Sequence, residues 1–144
     1  MISNVYIASG WFTKTQMQQV EKLKKVLASL KIGFFSPKDH NLCNLDASYE
    51  KKLECYACNL VAIDSSDLVI VNSQSYDPGA MMELGYAVAK GKRVILFAQG
   101  IDKPNLMLAM SCICVCNKLS QVRASLKSLL KDDSWSKKYG GGVI

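Results

Sequence analysis

Short apolar runs alternate with amphipathic stretches along the whole chain. Asn4 to Ser9 is an apolar run of strand length that ends in small residues. Gly10, Trp11 and Phe12 follow, and Thr13 with Gln16 has the spacing of a capping box, so a helix should start there. Met17, Val20, Leu23, Val26, Leu27 and Leu30 then recur three and four residues apart, the buried stripe of an amphipathic helix closed by Gly33. Gly33 to Ser36 reads as a second strand, and Pro37 to Asn44 as a polar loop. From Asp46 the spacing of Tyr49, Leu53, Tyr56, Leu60 and Ile63 predicts another helix. Asp67 to Asn72 holds a continuous apolar run suited to a central parallel strand, because such strands are covered on both faces. Asp77 followed by Pro78 is a strong helix start: the carboxylate can accept free backbone N–H groups, and proline fits the first helical position. Arg93 to Ala98 and Ile113 to Cys116 predict two further strands, and Leu119 to Leu130 a last helix before the tail YGGGVI.

Strands alternating with helices at this size imply an α/β, doubly wound, flavodoxin-like sheet of five parallel strands flanked by helices, with residues 1–144 forming one domain. That topology locates a site. Ligands lie beyond the carboxyl ends of the strands, so Ser9 to Phe12, Ser36 to Asn41, Asn72 to Asp77 and the turn after Phe97 should ring one crevice.

Hydrophobic residues make up 49% and charged residues 21%, the balance of a globular protein with a real core. The N-terminus MISNVYIASG has no basic region followed by an apolar signal segment, and Leu106 to Cys116 is too short to span a bilayer, so a cytoplasmic location is expected. The net charge of +6 comes from lysines spread over every helix without an interleaved aromatic tract, which argues for solvated faces over nucleic-acid or membrane binding. Six cysteines include one C-x-x-C at Cys55 and Cys58 and the alternating Cys112, Cys114 and Cys116. With one knuckle and a single histidine there is no zinc-ribbon spacing, and the alternating thiols read as small hydrophobes sharing one strand face. Neither a metal nor a cofactor is expected.

Within the helix after Asp77, Glu83 is the lone carboxylate. At helical spacing its neighbours are Gly79, Ala80, Tyr86 and Ala87, mostly small, while Met81, Met82, Leu84, Val88 and Ala89 imply burial nearly all round. A buried charge is costly unless it is paired or used, so Glu83 is the candidate for chemistry. The first turn, SGWFTKTQ, is neither G-x-G-x-x-G nor a Walker A loop, which disfavours a dinucleotide or triphosphate. Trp11 and Phe12 stand where a nucleotide fold would keep glycines, and suit a wall that stacks on a planar ring.

With these residues placed, nearly the whole chain resembles the nucleoside 2-deoxyribosyltransferases, which move 2-deoxyribose between nucleobases without a cofactor. The resemblance rests on YIASGWF at Tyr6 to Phe12, on Asp77 and Glu83 in DPGAMMELGYA, on KPNLM at Lys103 to Met107, and on the Gly-rich tail. It implies deoxyribonucleosides and free nucleobases as substrates, Glu83 as nucleophile, Asp77 as a polar group at the base and its proton, and Tyr6 as a hydrogen-bonding neighbour of the nucleophile. Gly10, Trp11 and Phe12 would border the base. Asn105 and Met107 match positions that in the family reach into a neighbouring subunit's site, and the family assembles as dimer-based homo-oligomers, often hexamers. A family carboxylate near the base falls on Asn59, which can donate and accept hydrogen bonds but cannot shuttle a proton. A family glutamine falls on His40 or Asn41, and some members end in tyrosine where Ile144 stands here.

Two readings stand beside this one. A nucleotide N-hydrolase of the same superfamily would use the same glutamate with a phosphate held by Ser73, Gln74 and Ser75. A non-catalytic nucleotide-binding domain would keep the fold without the chemistry.

Overall fold

The computed structural model describes residues 1–144. Five strands, β1 Asn4–Ala8, β2 Gly33–Phe35, β3 Leu68–Asn72, β4 Arg93–Phe97 and β5 Cys114–Cys116, form one sheet in the order β2-β1-β3-β4-β5. All neighbouring pairs are parallel. The helices are α1 Lys14–Ser29, α2 Pro37–His40, α3 Tyr49–Asp64, α4 Pro78–Ala89, α5 Leu106–Ser111 and α6 Leu119–Lys131. This is the doubly wound, flavodoxin-like arrangement that the pattern predicts. Every residue of β3 is buried, as befits the middle strand.

Successive side chains of a strand face opposite sides, so the sheet has a core on each face. On one, Ile7, Ile70 and Phe97 pack with Val20, Leu23 and Leu27 of α1 and Leu126 and Leu129 of α6. On the other, Tyr6, Val69 and Val71 pack with Ile63 of α3 and Ala80, Leu84 and Ala87 of α4. The alternation thus aims Tyr6 at the helix that carries Glu83.

The α1 capping box forms as predicted: Gln16 N donates to Thr13 Oγ1 at 3.1 Å and Thr13 N to Gln16 Oε1 at 3.1 Å. Its end differs. Gly33 lies in β2, and the helix closes at Lys31, whose φ of 57° is left-handed. Ile32 N donates to Leu27 O and Lys31 N to Ala28 O, both at 3.0 Å, which is a Schellman closure with lysine in the usual glycine place. Buried Ile32 packs in the same core as Leu27, and that apolar contact offsets the strained lysine. Met17 is also 36% exposed, because Gln16 and Gln19 occupy the buried face beside it.

Four further elements depart from the expectation. Pro37 to His40 is a short helix, α2, with proline at its first turn. Lys24 of α1, almost fully buried, ties it to that helix by an ion pair to Asp39 and also pairs with Glu21 one turn away. The apolar row after Asn105 forms α5, with Asn105 as N-cap. In α4 only Ala80, Leu84 and Ala87 are buried, and Met82 is 44% exposed, so burial is one-sided where the composition implied an enclosed helix. Likewise α3 buries Cys55 and Ile63, while Tyr49, Leu53 and Tyr56, which mark it in the sequence, stay exposed. Cys114 and Cys116 share a face, but Cys112 precedes the strand and packs in the opposite core, because β5 begins only after α5 has ended.

Candidate active site

β1 and β3 lie side by side with Ala8 opposite Val71, at the point where the strand order reverses direction. Their loops are tied across this crevice. Asn72 Nδ2 donates to Ser9 Oγ at 3.1 Å, and Gln16 Nε2 donates to Gln74 O at 3.1 Å. Gly10 sits where a side chain has no room: a Cβ there would lie 2.6 Å from Gln16 Nε2 and 2.9 Å from Asp77 Oδ1. Glycine is therefore what lets the β1 loop close on Asp77.

After β3 the chain turns sharply through Ser75 and Tyr76, with φ of 60° and 45°. Two successive non-glycine residues in this region are strained, and such strain gathers where a structure fixes a functional turn. The turn delivers Asp77 to the start of α4, where its Oδ2 accepts from Ala80 N at 2.9 Å.

Glu83 lies further along α4, close enough to Asp77 to feel its charge. Its Oε2 is buried and has no hydrogen-bond partner of ordinary geometry, and the same holds for the hydroxyl of fully buried Tyr6. The two groups nevertheless feel each other. Burial pushes Glu83 up to about 7, the nearby Tyr6 phenol opposes that rise, and the Asp77 charge adds to it. Burial first, and the Glu83 carboxylate second, push Tyr6 well above the usual phenol range. Tyr6 is thus a neutral donor at any working pH, and Glu83 can be either acid or carboxylate near neutrality. An aimed, unpaired carboxylate beside a fixed donor can trap an electrophilic carbon or move a proton.

Tyr6, Gly10, Asp77 and Glu83 therefore come together. His40 joins them through rings: Tyr6 stacks on Phe35 at 5.6 Å between centroids, and Phe35 on His40 at 4.8 Å. His40 Nδ1 also lies 2.9 Å from Ser36 O, which fixes its plane. Asn41 Nδ2 donates to Asn59 Oδ1 at 3.0 Å, so these two candidates form a pair. Trp11 and Phe12 stack on each other at 5.5 Å, and Phe12 is 76% exposed, a wall facing outward and not a core residue. Asn105 and Met107 stand apart. Asn105 Oδ1 accepts from Met107 N at 2.9 Å, and Met107 is 74% exposed. Asn105 lines a groove of about 320 Å³ with Tyr76, Met81, Leu108 and Ile144, next to the turn that carries Asp77.

Phe35 and the loop-tying role of Gln16 are not evident from sequence. Phe35 ends a three-residue strand with no pattern of its own, and Gln16 announces only its cap. Of the residues considered for a phosphate, Ser73 and Gln74 are engaged within the protein. Ser73 Oγ is fully buried and donates to Phe97 O at 3.0 Å, and Gln74 N donates to Asn72 Oδ1 at 3.2 Å.

A raised carboxylate beside a neutral phenol, at the switch point of a doubly wound sheet, marks an α/β protein whose crevice is equipped for carboxylate chemistry. The family model for nucleoside 2-deoxyribosyltransferase matches residues 5–125, and the chain belongs to that family. Among solved structures it is similar to a 2-deoxyribosyltransferase from the psychrotolerant bacterium Bacillus psychrosaccharolyticus, a biocatalyst for nucleoside synthesis. The two share 28% identity over 84% of this chain and 90% of that one, with a TM-score of 0.75. A conserved protein from Enterococcus faecalis V583 shares the fold, at 14% identity over 89% of this chain and 99% of that one, with a TM-score of 0.67. Comparison with curated proteins finds no match.

Proposed function

We propose that this protein transfers 2-deoxyribose between nucleobases, with Glu83 as the nucleophile in nucleoside salvage. The observation that carries the reading is the buried Oε2 of Glu83, which no protein group satisfies, beside Tyr6 and Asp77 in a chain of this family. Glu83 attacks the anomeric carbon, the C–N bond breaks, and the departing base takes a proton from Asp77 or from water held there. A second base then reverses these steps on the deoxyribosyl ester, with overall retention, the division of labour of retaining glycosidases. The neutral Tyr6 phenol stands beside the carboxylate and favours its charged form. Trp11, Phe12 and the His40–Phe35 stack border the planar base, and Asn41 with Asn59 offers it an amide edge.

Assembly belongs to the same reading. Leu106, Met107 and Met110 are exposed along α5, an apolar row of the kind that marks a subunit contact. In a homo-oligomer Asn105 and Met107 would complete a partner's pocket, and two-fold symmetry would make the sites reciprocal.

The test is to incubate the protein with deoxyinosine and free adenine. Deoxyadenosine formation, with a deoxyribosyl adduct on the peptide containing Glu83, is expected. Release of free deoxyribose alone would point to a hydrolase, and an adduct elsewhere would sink the assignment. For shared sites, Glu83→Ala and Asn105→Ala proteins are unfolded together and refolded as mixed oligomers. Recovery of activity above the parental average is expected; no recovery would mean that each chain builds its site alone.

A further inference from the structure

On the face of the sheet away from Glu83, three donors converge. Cys114 Sγ and Cys116 Sγ lie 4.0 Å apart on β5, and each lies 3.6 Å from Ser125 Oγ of α6. All three residues are buried. A cavity of about 130 Å³ opens against them, walled in part by Trp135 and Lys137. Lys137 is held there by its backbone, since its N–H donates to Ile113 O at 2.9 Å.

Closing the thiols to a disulfide would require about 2.0 Å between sulfurs on residues that a strand keeps about 6.7 Å apart, the far limit for a bridge. A bridging ion fits without movement. For a triangle with sides of 4.0, 3.6 and 3.6 Å, the point equidistant from the corners lies about 2.2 Å from each donor, the ordinary length of a metal–sulfur or metal–oxygen bond.

We propose that Cys114, Cys116 and Ser125 form a trigonal site for a soft monovalent cation, Cu(I) by chemical class. Zn(II) prefers four firm ligands, whereas thiolate pairs suit Cu(I). Binding converts both thiols to thiolates and releases two protons to solvent, with no electron transferred. The loaded site carries one negative charge, and the Lys137 ammonium on the cavity wall offsets it. The cavity exceeds the roughly 30 Å³ that one water occupies, so an ion has room to enter.

The experiment uses the full chain with Cys43→Ser and Cys58→Ser, which removes the exposed thiols. Cu(I) is supplied anaerobically against a chromogenic Cu(I) chelator. One equivalent per chain is expected, with X-ray absorption reporting two sulfur neighbours and one light neighbour at about 2.2 Å. Adding Cys114→Ala and Cys116→Ala abolishes uptake. Ser125→Ala, which leaves both thiols and the fold in place, weakens it about 10-fold, the scale of a lost supporting ligand. No uptake by the parent protein, equal uptake by the double cysteine variant, or tighter retention of Zn(II) than of Cu(I) would overturn the proposal.

Discussion

Replacing Glu83 with glutamine tests the electrostatics of the site without requiring its substrate. Glutamine keeps the shape and an acceptor oxygen, but it carries no charge. The native carboxyl is raised from 4.5 to about 7, mainly by burial. A group whose folded value is raised contributes fully at pH below its unfolded value and loses that contribution as pH climbs to the folded one. Here the carboxyl costs nothing near pH 4.5, and its ionisation weighs increasingly against the folded state up to about pH 7. At about 1.4 kcal/mol per pH unit the full shift is worth about 3 kcal/mol, and partial exposure of Glu83 reduces this to about 1–2 kcal/mol. For a domain of this size, each kcal/mol moves Tm by about 3 °C. The Gln variant should therefore melt with the wild type near pH 4.5 and roughly 3–6 °C above it at pH 8. Urea titrations at the two pH values should give the same difference in midpoint with an unchanged slope. A difference that does not vary with pH, or a variant less stable at pH 8, would refute a buried, unpaired carboxylate.

Asp77→Asn keeps a good N-cap and removes a like charge, so stability should change by under about 0.5 kcal/mol while the acidic limb of the transfer profile moves to lower pH. Tyr6→Phe removes the donor that opposes the Glu83 rise, and the same limb should move to higher pH; an unmoved limb would separate Tyr6 from the carboxylate. Gly10→Ala should cost about 1–3 kcal/mol by overpacking and break the contact with Asp77, with activity lost even below the melting transition. Lys31→Gly should raise stability by about 1 kcal/mol by relieving the left-handed lysine, measured by thermal melting with activity unchanged.

Much of this molecule is written locally. The run Leu68 to Asn72 can be stable only as a strand covered on both faces, and the Thr13–Gln16 and Asp77–Pro78 signals start helices through bonds between near neighbours. These features place the five strands, the long helices and the crevice from sequence alone, and Glu83 stands out because a lone charge in an apolar helix needs a reason. What the sequence left open depends on surfaces that meet only after folding. The apolar spacing of α3 does not reveal that Cys55 and Ile63 are its buried line, because that is decided by how the helix lies on α4 and the sheet edge. Nor does it reveal that Gly10 must be bare to meet Asp77, 67 positions further along the chain, or that Phe35 links Tyr6 to His40. The same holds for Cys114, Cys116 and Ser125. Alternation puts the two thiols on one face, but only the packing of α6 against β5 brings the hydroxyl to within 3.6 Å of both. Periodicity governs which way a side chain faces, whereas distance between remote residues is set by tertiary packing, and the chemistry of both sites is a matter of distance.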